Sequence, residues 1–504
     1  MRSDTGTDHD APCAAAPGEF HALKKKAING VFWSNIESWG RQIISLVIVL
    51  VMVRLLTPRE YGVFAIVMVV LEIMKVFVDD GFIDVIVQRT SISKLQLNTL
   101  FFVNLGAGLT VGAAAIALTP LIASLFGEPE LLSLIPAICI AVLVGTLSAV
   151  HQAILRRELD FQSLAKRSVV GVVGGGVLGI ATAAAGFGIW SLVVQQIAER
   201  LIGLVVLYRQ CSWRPALVWS TDCAREVVPS AAKMIATRFM VHVEKNIDRF
   251  FIGLLLGPTV LGLYTLARRL LDTVLSLLIY GTAHIAMSTF SRLQTDPVRL
   301  KAAVGVVCEI GSLVIFPVCL GLALTAPAVL PLLMGERWAE SASLFQLLVL
   351  GGIPFYVIEV IQTLARAMGK LKWTLVTLAA VIALNLLVVL GLHSYGIAAI
   401  AAGLVVRDFL LIPAYLLVAR HLTGISIGEL LRPFFVPFGA SLLMGVAIYS
   451  LTDMAAAHWT VPAILAFQIA AGVVIYGTLV VASNPTAIRR VAGILREVRA
   501  ARSG

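Results

Sequence analysis

The sequence predicts an all-α integral membrane protein with about fourteen transmembrane helices. It predicts two six-helix bundles in a pseudo-two-fold arrangement, followed by two further C-terminal helices. Three observations carry this. Of 504 residues, 59% are hydrophobic and 13% charged, with a mean hydropathy of +0.93; a soluble domain carries about a quarter charged residues to cover its surface. The apolar residues fall in long blocks of about 20, enough to cross a hydrocarbon core about 30 Å thick. The two halves of the chain also repeat each other in register.

Residues 1–27 read as a cytoplasmic N-terminal tail. They are small and polar, with Lys24-Lys25-Lys26 ahead of a long apolar stretch, and lack the short apolar core and cleavage site of a secretory signal. Residues 28–210 are expected to form the first six-helix bundle, with spans 1 to 6 at roughly 28–54, 61–84, 97–119, 131–155, 165–187 and 189–208. Residues 211–227 read as a cytoplasmic linker. Residues 228–420 form the second bundle, with spans 7 to 12 at roughly 228–256, 259–288, 302–325, 342–365, 371–391 and 394–418. Residues 421–482 add spans 13 and 14, at roughly 432–452 and 459–482, and 483–504 form a basic cytoplasmic tail.

Orientation follows from Lys and Arg, which concentrate on the cytoplasmic side. Lys24–Lys26, Arg89, Lys94, Arg156, Arg157, Arg209, Arg214, Arg225, Arg292, Lys301, Lys370, Lys372, Arg420 and Arg432 fall in the tail or the even-numbered connections, and Arg489 to Arg502 in the C-terminal tail. Odd-numbered connections such as Gly127-Glu128-Pro129-Glu130 are short and poor in bases, with Arg54, Arg59 and Arg337 as exceptions. Both termini are therefore expected in the cytoplasm. No connection outside is long enough for a catalytic domain, so the chain is not expected to be an enzyme.

The repeat has an offset of 200. Leu56-Thr57-Pro58-Arg59-Glu60-Tyr61-Gly62 aligns with Leu256-Gly257-Pro258-Thr259-Val260-Leu261-Gly262, and Glu72 and Asp272 follow at matching places, each preceded by Leu. A looser match joins Gln152 and Arg156 with Gln362 and Arg366. Six helices per repeat give both halves the same orientation, the parallel arrangement of some secondary transporters, whose sites lie between the halves.

Ionisable residues inside spans are the functional signal, because each costs about 2.5–3.5 kcal/mol near the bilayer centre and must face protein or water. Arg238, His242, Lys245 and Arg249 share one face of span 7. Their equivalents on span 1 are Ser38, Gln42, Ser45 and Val49, joined by Arg41. Span 2 adds Glu72, Lys75 and Asp79, and span 8 adds Arg268, Arg269 and Asp272. Spans 1, 2, 7 and 8 are thus expected to wall a hydrated cationic cavity. Its substrate-binding candidates are Arg41, Lys75, Arg238, His242, Lys245, Arg249 and Arg268. The competing reading makes these charges structural, with Glu72, Glu244 and Asp248 neutralising neighbouring bases. Glu199, Arg200 and Arg407-Asp408 are expected to be structural pairs.

Other chemistries lack their residues. The run Gly171 to Gly179 is glycine-rich but lacks the Lys-Ser/Thr of a phosphate-binding loop, and it suits close helix packing. The six cysteines are scattered, with no metal-ligand spacing. A net charge of +10 on a chain this apolar marks topology, not nucleic acid.

Several motifs carry a resemblance. They are Val53-Arg54-Leu55-Leu56-Thr57-Pro58-Arg59-Glu60-Tyr61-Gly62-Val63-Phe64-Ala65, Asp79-Asp80-Gly81-Phe82, Asn246-Ile247-Asp248-Arg249-Phe250-Phe251-Ile252-Gly253, Gly335-Glu336-Arg337-Trp338 and Ala365-Arg366-Ala367-Met368-Gly369-Lys370. In these the sequence resembles the Wzx-type oligosaccharide repeat-unit flippases, polysaccharide exporters of the multidrug/oligosaccharidyl-lipid/polysaccharide superfamily. The resemblance implies a multi-pass protein of the bacterial inner membrane that carries undecaprenyl-diphosphate-linked oligosaccharide between leaflets by alternating access, for exopolysaccharide or O-antigen synthesis. It implies membrane lipid, a polysaccharide polymerase and export machinery as partners. No cofactor is expected beyond H+ or Na+ coupling, for which Glu72 and Asp272 are the candidates. The alternatives are a drug/cation antiporter or a peptidoglycan-precursor flippase of the same superfamily.

Overall fold

The computed structural model describes residues 17–80, 83, 86–87, 92–455 and 460–483. Asp79 and Asp80 as side chains, Arg89, and both chain ends (1–16 and 484–504, with most of the expected basic tail) lie outside what is described. Among the described residues the chain is helical, with no strand.

Spans 1 to 6 are the helices Pro17–Leu55, Pro58–Lys75, Lys94–Phe126, Leu131–Arg157, Phe161–Ala184 and Trp190–Gln210. Span 9 is Pro297–Met334; spans 11 to 14 are Leu371–Leu392, Ile397–Thr423, Ile427–Ala455 and Val461–Ser483. Span 10 is a pair, Ala339–Leu350 and Gly352–Ala367, with a 42° bend at the break. Many helices outrun their apolar cores because capped ends carry them onward. Ser93 and Gln96 close a capping box before span 3, and Gly127 ends it in the left-handed conformation.

Twelve described helical segments are long and apolar enough to cross a bilayer, and the bent pair makes a thirteenth. One of the twelve, Met234–Leu278, has 45 residues, about 67 Å of helix and twice the hydrocarbon thickness. It belongs to Thr221–Leu278, whose Gly257 has φ 82° and ψ 173°, a conformation that interrupts the helix. Tyr264 donates to Asp248, and Arg249 reaches Asp272 at 3.4 Å. Along a straight helix those partners would stand about 24 and 35 Å apart. The chain therefore doubles back at Gly257, so 221–256 and 258–278 are the antiparallel spans 7 and 8. Counted this way the crossings among the described residues number fourteen.

Spans 2 and 8 begin alike. Thr57 accepts from the Glu60 amide while Glu60 accepts from that of Thr57, and Pro58 fills the first turn, where no N–H is needed. Pro258 follows Gly257 at the matching place. The helices then cross with almost no separation. A Cβ on Gly62 would overlap the Pro258 carbonyl oxygen, and one on Gly262 that of Pro58. Each would also stand 2.9 Å from the other glycine's nitrogen. The offset of 200 is thus a reciprocal contact in space.

More contacts between the halves gather at the same end. Arg54, at the end of span 1, donates to the carbonyls of Leu333 (2.7 Å) and Leu332 (2.8 Å). It thereby satisfies the open C-terminal carbonyls of span 9 and meets the negative end of its dipole. The fully buried Trp338 donates to the Val53 carbonyl at 2.7 Å and lies edge-on to Tyr61 at 5.8 Å. Within the first half, Arg59 bridges Glu128 and Glu130 of the connection between spans 3 and 4. Two of the three bases that break the topology pattern are thus occupied in pinning connections together.

Within the first half, the glycine run packs span 5 onto its neighbours. Cβ atoms at Gly171 and Gly175 would come within 2.9 Å of Glu199 and Gln195 backbone oxygens on span 6, and one at Gly176 would overlap Ile48 of span 1. Close packing is therefore what these glycines provide. The segment after span 6 is less free than a linker. Asn98 accepts from the Ala216 amide at 3.0 Å and Thr99 from that of Ser220 at 3.2 Å, while Trp213 packs on Phe101 and His151. A new helix already starts at Thr221. Spans 13 and 14 dock along span 9, with Phe434 stacked on Phe316 and the Tyr476 hydroxyl donating to the Leu313 carbonyl at 2.9 Å.

Candidate functional site

The shared start of spans 2 and 8 places their polar residues at equal depth. Glu72 lies fourteen residues beyond Pro58 and Asp272 fourteen beyond Pro258, each about 21 Å along its helix from the tightly crossed end. Span 7 climbs towards the same end. Measured back from Gly257, Arg249 lies about 12 Å down, Lys245 about 18 Å, His242 about 22 Å and Arg238 about 28 Å. The bases therefore form a ladder along the span, with the two acids level with its middle.

The contacts agree with those depths. Glu72 accepts from Lys75 on its own helix at 2.8 Å and faces His242 Nδ1 across the seam between the halves at 3.7 Å. Asp272 takes Arg268 on its own helix at 3.3 Å and Arg249 of span 7 at 3.4 Å. Each acid thus holds one base of its own helix and one of span 7. Lys245, between the two groups, is exposed and has no hydrogen bond or ion pair among the described residues. Beside Glu72 and His242, Phe77 meets Phe239 at 6.0 Å, again joining spans 2 and 7.

Of the nine residues expected at the site, Glu72, Lys75 and His242 meet across this seam, Arg249, Arg268 and Asp272 join spans 7 and 8, and the exposed Lys245 and Arg238 continue the row on span 7. Arg41 is not with them. It points to span 6 and pairs with Glu199 at 3.2 Å, on a largely exposed side chain. Span 1 instead contributes neutral groups to span 8: Gln42 donates to Ser276 at 2.8 Å, and Ser45 accepts from Arg269 at 2.7 Å.

The other face of span 7 carries a network that the ladder hides in the sequence. Asp248 is buried, accepts from the Tyr264 hydroxyl, and takes the Arg249 amide at 2.8 Å. Glu244 is within electrostatic reach of Arg268, Lys245 and Arg407, and Arg407 pairs with Asp408 on span 12. Asp248 and Asp408 thus each have partners within the protein. Glu72 and Asp272 are half-buried. Lys75, Arg238, Lys245, Arg249, Arg268, Arg269 and Arg407 against Glu72, Glu244, Asp248, Asp272 and Asp408 leave a positive excess. Such a row suits an anion with several oxygens, since Arg offers a planar fork and Lys a point charge. Among the described residues no cluster could hold a metal ion.

Residues 51–343 match the family described as "Polysaccharide biosynthesis protein". The lipopolysaccharide biosynthesis protein WzxC of Escherichia coli K12 is 24% identical over 438 residues, covering 85% of this chain and 88% of its own. The teichuronic acid biosynthesis protein TuaB of Bacillus subtilis is 22% identical over 482 residues, covering 92% and 97%. Among solved structures, the lipid II flippase MurJ in an inward closed conformation superposes with a TM-score of 0.74 at 14% identity, over 91% of this chain and all of that one. A Vibrio cholerae MATE transporter, VcmN, gives 0.54 at 14% identity over 81% and 99%.

Proposed function

The chain belongs to the polysaccharide biosynthesis protein family, and on that premise we propose that it is a flippase for undecaprenyl-diphosphate-linked oligosaccharide repeat units. It moves them across the bacterial inner membrane by alternating access between its halves, for exopolysaccharide or O-antigen synthesis. The observation that carries this reading is the ladder of bases on span 7, spread over about 16 Å of membrane depth between two acids at mid-depth. A diphosphate passing through hydrocarbon needs cations along the way, and the ladder supplies one at about every turn.

Both termini face the cytoplasm, so the tightly crossed end at Pro58, Pro258 and Trp338 faces the periplasm and is the closed gate of this state. Glu72 and Asp272 hold the bases while the site is empty. Protonation, or a bound Na+, releases them to the diphosphate, which couples transport to an ion gradient. A polysaccharide polymerase and export machinery consume the flipped unit. The positive excess argues against the drug/cation antiporter, whose cavity would need acidic or aromatic walls.

Two results test this. Lys245→Ala lowers glycan export in cells lacking the native gene, Lys245→Arg lowers it less, and both accumulate normally. Normal export from the alanine variants at Arg238, Lys245 and Arg249 alike makes the ladder structural. Reporter fusions after Gly504 give cytoplasmic activity and those within 120–130 periplasmic activity; the reverse at Gly504 refutes the topology.

A further inference from the structure

A slot of about 400 Å³ lies between spans 2, 3 and 7. Ile66, Val70 and Ile73 wall it on span 2, and Val111 and Leu118 on span 3, with Phe250 closing one side. Ile73 and Leu118 are exposed, so the slot opens sideways towards the hydrocarbon. The charged residue in its wall is Arg249. The Nε of Arg249 is buried without a hydrogen bond, and its two terminal nitrogens make only long contacts, to Asn246 at 3.3 Å and Asp272 at 3.4 Å. An under-satisfied guanidinium beside an apolar slot invites an amphiphile whose anionic group meets the cation while its chain fills the slot.

We propose that this slot holds the phosphate-proximal part of the substrate's polyprenyl chain while its diphosphate rests on Arg249, a proposal that rests on the flippase reading. Two observations favour this occupant over a resident phospholipid. Arg249 belongs at once to the slot and, through Asp272, to the ladder, so a head group on the ladder directs its chain here. Arg249 also lies about 12 Å below the end of its span. A phospholipid at rest keeps its phosphate at the interface, whereas a lipid in transit carries its phosphate to that depth. The seam between spans 2 and 7 then serves as the chain's lateral path.

The test uses the full chain in nanodiscs with a polyprenyl diphosphate bearing a photoreactive group on its first isoprene units. Cross-links are expected on peptides containing Val70, Ile73, Ala114 or Leu118. Unlabelled polyprenyl diphosphate removes them and excess phosphatidylglycerol does not. Ala114→Trp, which fills the slot, weakens saturable binding at least about tenfold, the loss of about two buried methylenes. Equal competition by phosphatidylglycerol shows annular lipid only and overturns the proposal. Saturable binding with cross-links elsewhere, such as on spans 13 and 14, overturns the slot and leaves the flippase reading standing. No saturable binding anywhere overturns both. Should Ala114→Trp fail to accumulate, Leu118→Ala is the second variant, expected to shift the cross-link pattern; an unchanged pattern counts against the slot.

Discussion

Replacing Gly62 by leucine is expected to abolish glycan export while the protein still inserts, and Gly262→Leu is expected to do the same. Even the first carbon of a side chain at either position overlaps the carbonyl oxygen of the opposing Pro258 or Pro58, and backbone cannot give way as a flexible side-chain end can. The two helices must then part at the gate, taking Trp338 from Val53 and Arg54 from Leu332 and Leu333. The closed state is lost, and with it alternation. The pseudo-symmetry adds a demand: the two variants must behave alike, since the contact is reciprocal. Cysteines at Val53 and Trp338 should cross-link in the wild type and not in Gly62→Leu. Wild-type export from either leucine variant would mean that the gate is misplaced.

Asp248→Ala is expected to act through folding, not transport. Asp248 joins the two arms of the hairpin by accepting from Tyr264, and both are buried. Removing the acid strands the buried Tyr264 hydroxyl and takes a negative charge away from Arg268. Losing a hydrogen bond to a buried charged group costs about 1.5–3 kcal/mol, a sizeable share of a total stability of about 5–15 kcal/mol. Protein level and thermal stability in detergent should fall together, and export should fall only in proportion to protein level. Asp248→Asn keeps an acceptor for the hydroxyl and should be milder. Tyr264→Phe should cost about 1–3 kcal/mol by leaving the buried carboxylate short of a donor. An alanine variant that accumulates normally but does not export would instead place Asp248 in the transport path.

These two cases mark what the sequence makes legible. Long apolar blocks set by bilayer thickness, and the Pro and Gly that open spans 2 and 8, are one-dimensional signals, so the spans and the repeat can be read directly. The face shared by Arg238, His242, Lys245 and Arg249 follows from helical period alone. Which neighbour that face meets does not. Arg41 lies at a depth that suits the ladder, yet its helix is rotated so that Glu199 receives it, and period gives no absolute rotation. Arg54 looks like a breach of the topology rule because its partners are backbone carbonyls, which carry no sequence signature. The strap at 211–220 reads as a linker for the same reason: Asn98 and Thr99 hold it through amides that any residue would offer.

If the ladder on span 7 carries a diphosphate-linked glycan from one leaflet to the other, the purified chain alone must do so in a defined bilayer. Reconstitution tests it most directly. The purified chain is placed in proteoliposomes whose inner leaflet is loaded with an undecaprenyl-diphosphate-linked oligosaccharide bearing a fluorescent sugar, and the arrival of the sugar outside is followed by its access to a quencher. The wild type is expected to expose the sugar well above the leak of protein-free vesicles, and the double variant Lys245→Ala, Arg249→Ala to fall close to that leak while remaining folded. A wild type no faster than protein-free vesicles would rule out translocation of this substrate, and a double variant as fast as the wild type would rule out the ladder as its path.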